Sequence, residues 1–148
     1  MAQLQECGYT FATAESCTGG GVGQALTSVP GSSAVFKGGI VSYCDEIKHK
    51  LLGVPEAMLQ EFGAVSAPVA DAMARGAKAA LDTDAALSVT GLAGPGADDF
   101  GNSVGTVFVG WCDEKRCFSR HYQFPGDREE VRRQAIEKSL QLIVEQYS

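Results

Sequence analysis

The sequence has no apolar stretch near the ~20 residues a helix needs to cross a bilayer, and no basic-then-apolar leader opens it. No membrane partner is expected, and a cytoplasmic location is. Basic residues are in the minority, 12 Lys and Arg against 18 Asp and Glu, for a formal net charge of -6. Nucleic-acid binders normally carry a basic footprint, so no nucleic-acid partner is expected. An anionic small ligand is compatible only where positive charge is gathered locally. The five cysteines, Cys7, Cys17, Cys44, Cys112 and Cys117, form no CxxC pair and no zinc spacing. Without a leader they read as reduced thiols that mostly fill space, with no metal site. Histidine is scarce too, limited to His49 and His121, so a Ser-His-Asp triad would have to use one of them. His121, between Arg120 and Tyr122, reads as a sheet-surface residue, and His49 points away from Lys48 on a helix. Repeats, low-complexity tracts and linkers are missing as well, and 148 residues predict one domain over 1–148.

What is present alternates between strand and helix patterns. "MAQLQEC" (1–7) resembles the last turns of a helix closed by Gly8. "YTFATAE" (9–15) predicts a strand, the glycine cluster a tight turn, and "GQALTSV" (23–29) a helix. "AVFKGGIVSYC" (34–44) is a second strand; Asp45 is expected to cap a helix through Leu52, and Pro55 to occupy the first turn of the next. Ser66 caps a predicted helix over 67–81, and "AALSVTG" (85–91) is a short apolar run of the kind found in a buried central strand. "VGTVFVGWC" (104–112) and "RCFSRHYQF" (116–124) predict an antiparallel hairpin around "DEK". Asp127 and Glu130 have capping-box spacing and start a helix to about Gln146, with Val131, Ala135, Leu142 and Ile143 on its apolar stripe. The fold class this implies is α/β: one three-layer domain, a mixed sheet flanked by helices on both faces.

Three stretches fall at predicted strand ends, where α/β folds bind ligands. In "ESCTGGG" (15–21), Ser16 and Cys17 precede three glycines and a helix N-terminus, whose free N–H groups favour an anion or an oxyanion. Either side chain could be a nucleophile, or the glycines could simply turn the chain. In "YCDEIK" (43–48), a desolvated Lys48 could act as a general base, or be one solvated lysine beside Lys50. In "TGLAGPG" (90–96), Thr90 could offer a hydroxyl to a ligand, or the loop could merely turn. If Ser16 is the nucleophile, lysine is the better base candidate than histidine. Cys17 is the rival nucleophile, because a helix N-terminus also lowers a thiol pKa.

Taken in order, "ATAESCTGG", "VPGSSAVFKGGIVSYCDEIKHKLLGV", "GAVS", "TGLAGPG", "VGTV" and "GDREEVRRQA" closely resemble the C-terminal domain family of the competence-damage protein CinA, over residues 8–146. The resemblance implies an amidohydrolase of pyridine nucleotide recycling that converts nicotinamide mononucleotide to nicotinate mononucleotide and ammonia, without cofactor or metal. It implies Ser16 as nucleophile, with Tyr43 and Lys48 supplying the base. Substrate contacts are expected from Thr18, Gly19, Gly20, Thr90, Gly91 and Arg132, with Arg128 as the alternative arginine. The amides of Thr18, Gly19 and Gly20 would hold the oxyanion or the substrate phosphate. A homo-oligomer is expected, a dimer among the options. Two departures stand out. The helix before the first strand is shorter than in the family, and "ADDFGNS" (97–103) replaces a glycine-rich segment ending in Lys-Pro. Asp98 and Asp99 then add negative charge near the phosphate site, which predicts weaker affinity or shifted specificity. The alternative functions are a nucleotide-binding module that has lost hydrolysis and a cysteine hydrolase using Cys17.

Overall fold

The computed structural model describes residues 8–147, so the helix expected over 1–7 lies outside the described residues. In chain order the elements are β1 (Phe11–Glu15), α1 (Gly21–Thr27), a 3-10 turn (Ser32–Ala34), β2 (Phe36–Val41), α2 (Asp45–Leu52), α3 (Glu56–Phe62), α4 (Ala67–Leu81), β3 (Ala85–Gly91), β4 (Thr106–Cys112), β5 (Cys117–Gln123) and α5 (Arg128–Gln146). They form one five-stranded sheet in the order β2-β1-β3-β4-β5. β1 runs parallel to β2 and β3, while β4 and β5 are antiparallel additions. The carboxyl ends of β2, β1 and β3 therefore open side by side on one edge. The Ser42 amide donates to the Glu15 carbonyl at 2.8 Å and the Ser16 amide to the Val89 carbonyl at 3.0 Å, which ties the three ends together.

Alternation along the strands sends successive side chains to opposite faces. Phe11, Leu87, Val89, Val107, Val109 and Trp111 pack against Val22 and Leu26 of α1 and Val131, Ala135, Leu142 and Ile143 of α5. On the other face Ala12, Ala14 and Ala86 meet Leu52 of α2, Leu59 of α3, and Val69, Met73 and Ala77 of α4. That second face is lined with small residues, so α4 lies close to the sheet. At Gly110 a Cβ would come within 2.7 Å of the Ala70 carbonyl oxygen and would collide with Ser88 Oγ. Ser88 is satisfied by donating to that same Ala70 carbonyl at 2.6 Å.

Local signals set the helix ends. Ser66 Oγ accepts from the Val69 amide at 3.4 Å. Asp127 and Glu130 complete both limbs of a capping box, at 3.0 and 3.4 Å. Three starts differ from expectation. Helix α1, expected over 23–29, begins two residues earlier at Gly21. Asp45 is the first residue of α2 rather than its cap; Cys44 holds the cap position with no side-chain bond, and Asp45 and Glu46 instead place negative charge in the first turn, where the helix dipole favours it. Pro55 likewise caps α3 from outside it. The expectation of reduced thiols fails for one pair. Cys112 and Cys117 face each other across the β4–β5 hairpin with Cα atoms 4.1 Å apart and are joined as a disulfide. Their five-residue separation carries no such signal until the hairpin register is known. Cys17 and Cys44 are free. Among the described residues no helix is long and apolar enough to cross a membrane.

Candidate active site

The end of β1 turns two adjacent polar side chains to opposite faces of the sheet. Glu15, almost fully buried, points to the α1 side. It accepts hydrogen bonds from the Thr18 hydroxyl at 2.6 Å, the Val22 amide at 2.8 Å and the Gly23 amide at 2.9 Å. A carboxylate survives such burial because three donors and the positive end of α1 surround it. Between Glu15 and α1 the chain reverses through Gly19 and Gly20, at φ of 60° and 100°, left-handed conformations that glycine adopts without a Cβ penalty.

Ser16 takes the other face, 7 % exposed, and meets Lys48. Lys48 is the fourth residue of α2, one turn before the core residue Leu52, and is 1 % exposed. Its Nζ lies 2.9 Å from Ser16 Oγ and donates to the Ser42 carbonyl at 2.7 Å. Burial lowers the Lys48 pKa from its ordinary value of 10.5, with Asp45 the largest opposing influence. A neutral amine that donates one N–H to Ser42 retains a lone pair for the serine hydroxyl. The neighbouring thiol is in the opposite condition. Cys17 packs into the core beside α1, and burial pushes its pKa up to about 11.

These groups open into a cleft of about 630 Å³ lined by Ser16, Tyr43, Lys48, Thr90, Gly91 and Arg128, among others. Thr90 is buried and its hydroxyl donates to the Ala64 carbonyl at 2.9 Å. Tyr43 is 62 % exposed at the mouth. Its hydroxyl accepts from Arg128 Nη2 at 3.0 Å, and Arg128 Nη1 donates to the Gly94 carbonyl at 2.7 Å. Arg128, first residue of α5, thus links the β2–α2 and β3–β4 loops across the opening.

A family model of the CinA C-terminal domain matches residues 1–147. The chain belongs to the CinA C-terminal domain family. It is 51% identical over 128 residues to a protein of Pseudomonas putida named nicotinamide-nucleotide amidohydrolase PncC, covering 86% of this chain and 80% of that one. A CinA-like protein of Geobacter metallireducens is 49% identical over 129 residues, which are 87% of this chain but 31% of that longer relative. Among solved structures, a CinA superfamily protein from Escherichia coli superposes with a TM-score of 0.94 at 32% identity, over 97% of this chain and 83% of that one. A competence/damage-inducible protein from Agrobacterium tumefaciens gives 0.92 at 34% identity, over 97% and 88%.

In this CinA C-terminal domain the residues expected at the site divide into two groups. Ser16, Tyr43, Lys48, Thr90 and Gly91 come together in the cleft. Thr18, Gly19, Gly20 and Arg132 are not part of its lining. Thr18 is fully buried with its hydroxyl on Glu15, and Glu15 also closes the helix N-terminus that the glycine cluster led us to expect as an anion site. Arg132 reaches the turn from behind, donating from Nε to the Cys17 carbonyl at 3.0 Å and from Nη2 to the Thr18 carbonyl at 3.3 Å. Arg128, the alternative, is the arginine in the cleft. Lys48 reaches Ser16 directly, with no Tyr43 atom between them. Of the two aspartates in the 97–103 loop, Asp98 is turned to holding the loop. It accepts from the amides of Phe100 and Asn102, both at 3.1 Å, and from Asn102 Nδ2 at 2.7 Å. Asn102 Nδ2 also anchors the loop on the Val65 carbonyl at 2.9 Å. Two participants escaped the sequence reading. The Ser42 carbonyl is backbone and leaves no signature, whereas Glu15, an acidic residue just ahead of a helix start, was a readable signal.

Proposed function

We propose that this chain is a nicotinamide-nucleotide amidohydrolase that cleaves the carboxamide of nicotinamide mononucleotide to nicotinate mononucleotide and ammonia. The observation that carries the reading is the buried amine of Lys48, 2.9 Å from Ser16 Oγ. The name of the Pseudomonas putida relative supplies the substrate class. An amide is a poor electrophile, so its attack needs an activated hydroxyl and donors for the oxyanion. Neutral Lys48 takes the Ser16 proton as Oγ bonds to the carboxamide carbon. The resulting lysine ammonium returns that proton to the nitrogen, the C–N bond breaks, and ammonia leaves. Water then gives a proton to Lys48 and its oxygen to the acyl-serine ester. Collapse releases nicotinate mononucleotide, and the lysine ammonium returns its proton to Ser16 Oγ.

An oxyanion donor comes from the turn itself. The amide of Thr18, two residues after the nucleophile, has no acceptor among the described residues. Arg128 gives the cleft an exposed guanidinium for an anionic group such as the substrate phosphate. Thr90, already donating to Ala64, retains oxygen lone pairs to accept from the carboxamide N–H. The test is ammonia release from nicotinamide mononucleotide by the wild type and by Ser16→Ala. Turnover by the wild type and none by the folded variant is expected. Equal rates would remove the nucleophile. Substrate binding without ammonia at high enzyme concentration would leave a nucleotide-binding module.

A further inference from the structure

Arg132 is a cation that the cleft does not use. Both hydrogen bonds of its guanidinium go to backbone carbonyls, of Cys17 and Thr18, and it is absent from the cleft lining. Gly19 lies beside this contact, in the left-handed conformation that turns the chain there. The direction of those carbonyls has a consequence, because in a trans peptide C=O and N–H point opposite ways. With the Cys17 oxygen drawn to Arg132, the Thr18 N–H faces away from it. The Thr18 oxygen is held by Arg132 and by the Gly21 amide at 3.0 Å, and the Gly19 N–H, on the far side of that peptide, donates back to the Ser16 carbonyl at 3.1 Å.

Other donors of this turn are already taken. Ser16 N–H is taken by Val89 in the sheet, and the Val22 and Gly23 amides by Glu15. The amides of Thr18 and Gly20 have no acceptor among the described residues, and Thr18 is the one whose peptide Arg132 holds. We infer that Arg132 is a positioning residue: by holding the Cys17 carbonyl from behind, it aims the Thr18 amide, at the other end of the same peptide, at the substrate's carbonyl oxygen. A cation on the acceptor end of a peptide also polarises the group and strengthens its donor end. This inference rests on the serine amidohydrolase reading above and assigns Arg132 a task other than the anion contact the sequence led us to expect.

The test measures Arg132→Met and Arg132→Lys in the intact protein, with folding followed by circular dichroism. Two readouts are used: steady-state ammonia release from nicotinamide mononucleotide, and the rate at which an alkyl fluorophosphonate labels Ser16, which also develops negative charge on an oxygen but needs no substrate recognition. Loss of donor alignment predicts a fall of roughly 10- to 100-fold in kcat for Arg132→Met. KM should stay near the wild-type value, labelling should slow in parallel, and Arg132→Lys should recover part of both rates. A raised KM with unchanged kcat would overturn the inference in favour of an anion contact. Unchanged kcat, KM and labelling would reduce Arg132 to a packing role. Should Arg132→Met fail to fold, Arg132→Lys is read by the same criteria. Wild type that is labelled at Ser16 but releases no ammonia overturns the proposed substrate alone, and the labelling ratio still decides Arg132. Wild type that is not labelled overturns both.

Discussion

Lys48 and Lys50 are two residues apart on α2, roughly 200° around the helix, and one is buried while the other is exposed. The sequence offered both environments for Lys48, since charge and spacing alone do not say which side of a short amphipathic helix meets the strand ends. Burial singles out Lys48 as the candidate base. Because it lowers the Lys48 pKa below 10.5, turnover should rise with pH through a single ionisation whose midpoint lies below that value. Lys48→Met should lose about 10²- to 10⁴-fold in rate, the range expected of a general base. The same shift has a stability signature. Between the folded-state pKa and 10.5 the unfolded chain binds more protons, so stability climbs with pH through that window, and below it the cost of burying the charged amine is borne in full. Urea midpoints of the wild type relative to Lys48→Met should therefore improve as pH rises toward 10.5; a pH-independent difference would rule out the lowered pKa. Cys17 illustrates the converse. With its thiol buried and raised to about 11, iodoacetamide near neutral pH should modify exposed Cys44 and spare Cys17, as read by mass spectrometry. Modification of Cys17 with loss of turnover would transfer the nucleophile to the thiol.

At the scale of elements, α5 carries both candidate arginines, four residues apart and so on one face of the helix. The motif placed them there but could not say which turn overlooks the cleft. Its docking against β3 and β4 sends Arg128 to the mouth and Arg132 to the back of the nucleophile turn. Arg128→Ala should raise KM by roughly 10- to 100-fold, the worth of a hydrogen bond to a charged group, with kcat little changed. A fall in kcat at constant KM would deny Arg128 the anion. The cap of that helix was legible beforehand because Asp127 and Glu130 act within one turn of chain. The Cys112–Cys117 pairing was not, since it depends on which residues of β4 and β5 stand opposite each other.

In the whole molecule, the cleft exists because three parallel strand ends stop together, and because α4 packs tightly on the small-residue face beneath them. Gly110→Ala tests that packing. The added methyl would press on Ser88 and on the Ala70 carbonyl, and backbone must move, so a loss of about 1–3 kcal/mol is expected in urea unfolding. An unchanged midpoint would mean that α4 has room to spare. Sequence by itself determined the order of strands and helices, most of their ends, and the residue types able to do amide chemistry. Alternation, caps and glycine turns act over a few residues and are written locally. Tertiary structure alone decided that Lys48 faces Ser16 across 32 positions, that Glu15 shuts the α1 terminus, and that the two arginines of α5 part company. Those outcomes depend on strand register and on the direction in which each helix packs, and both arise only when distant segments meet.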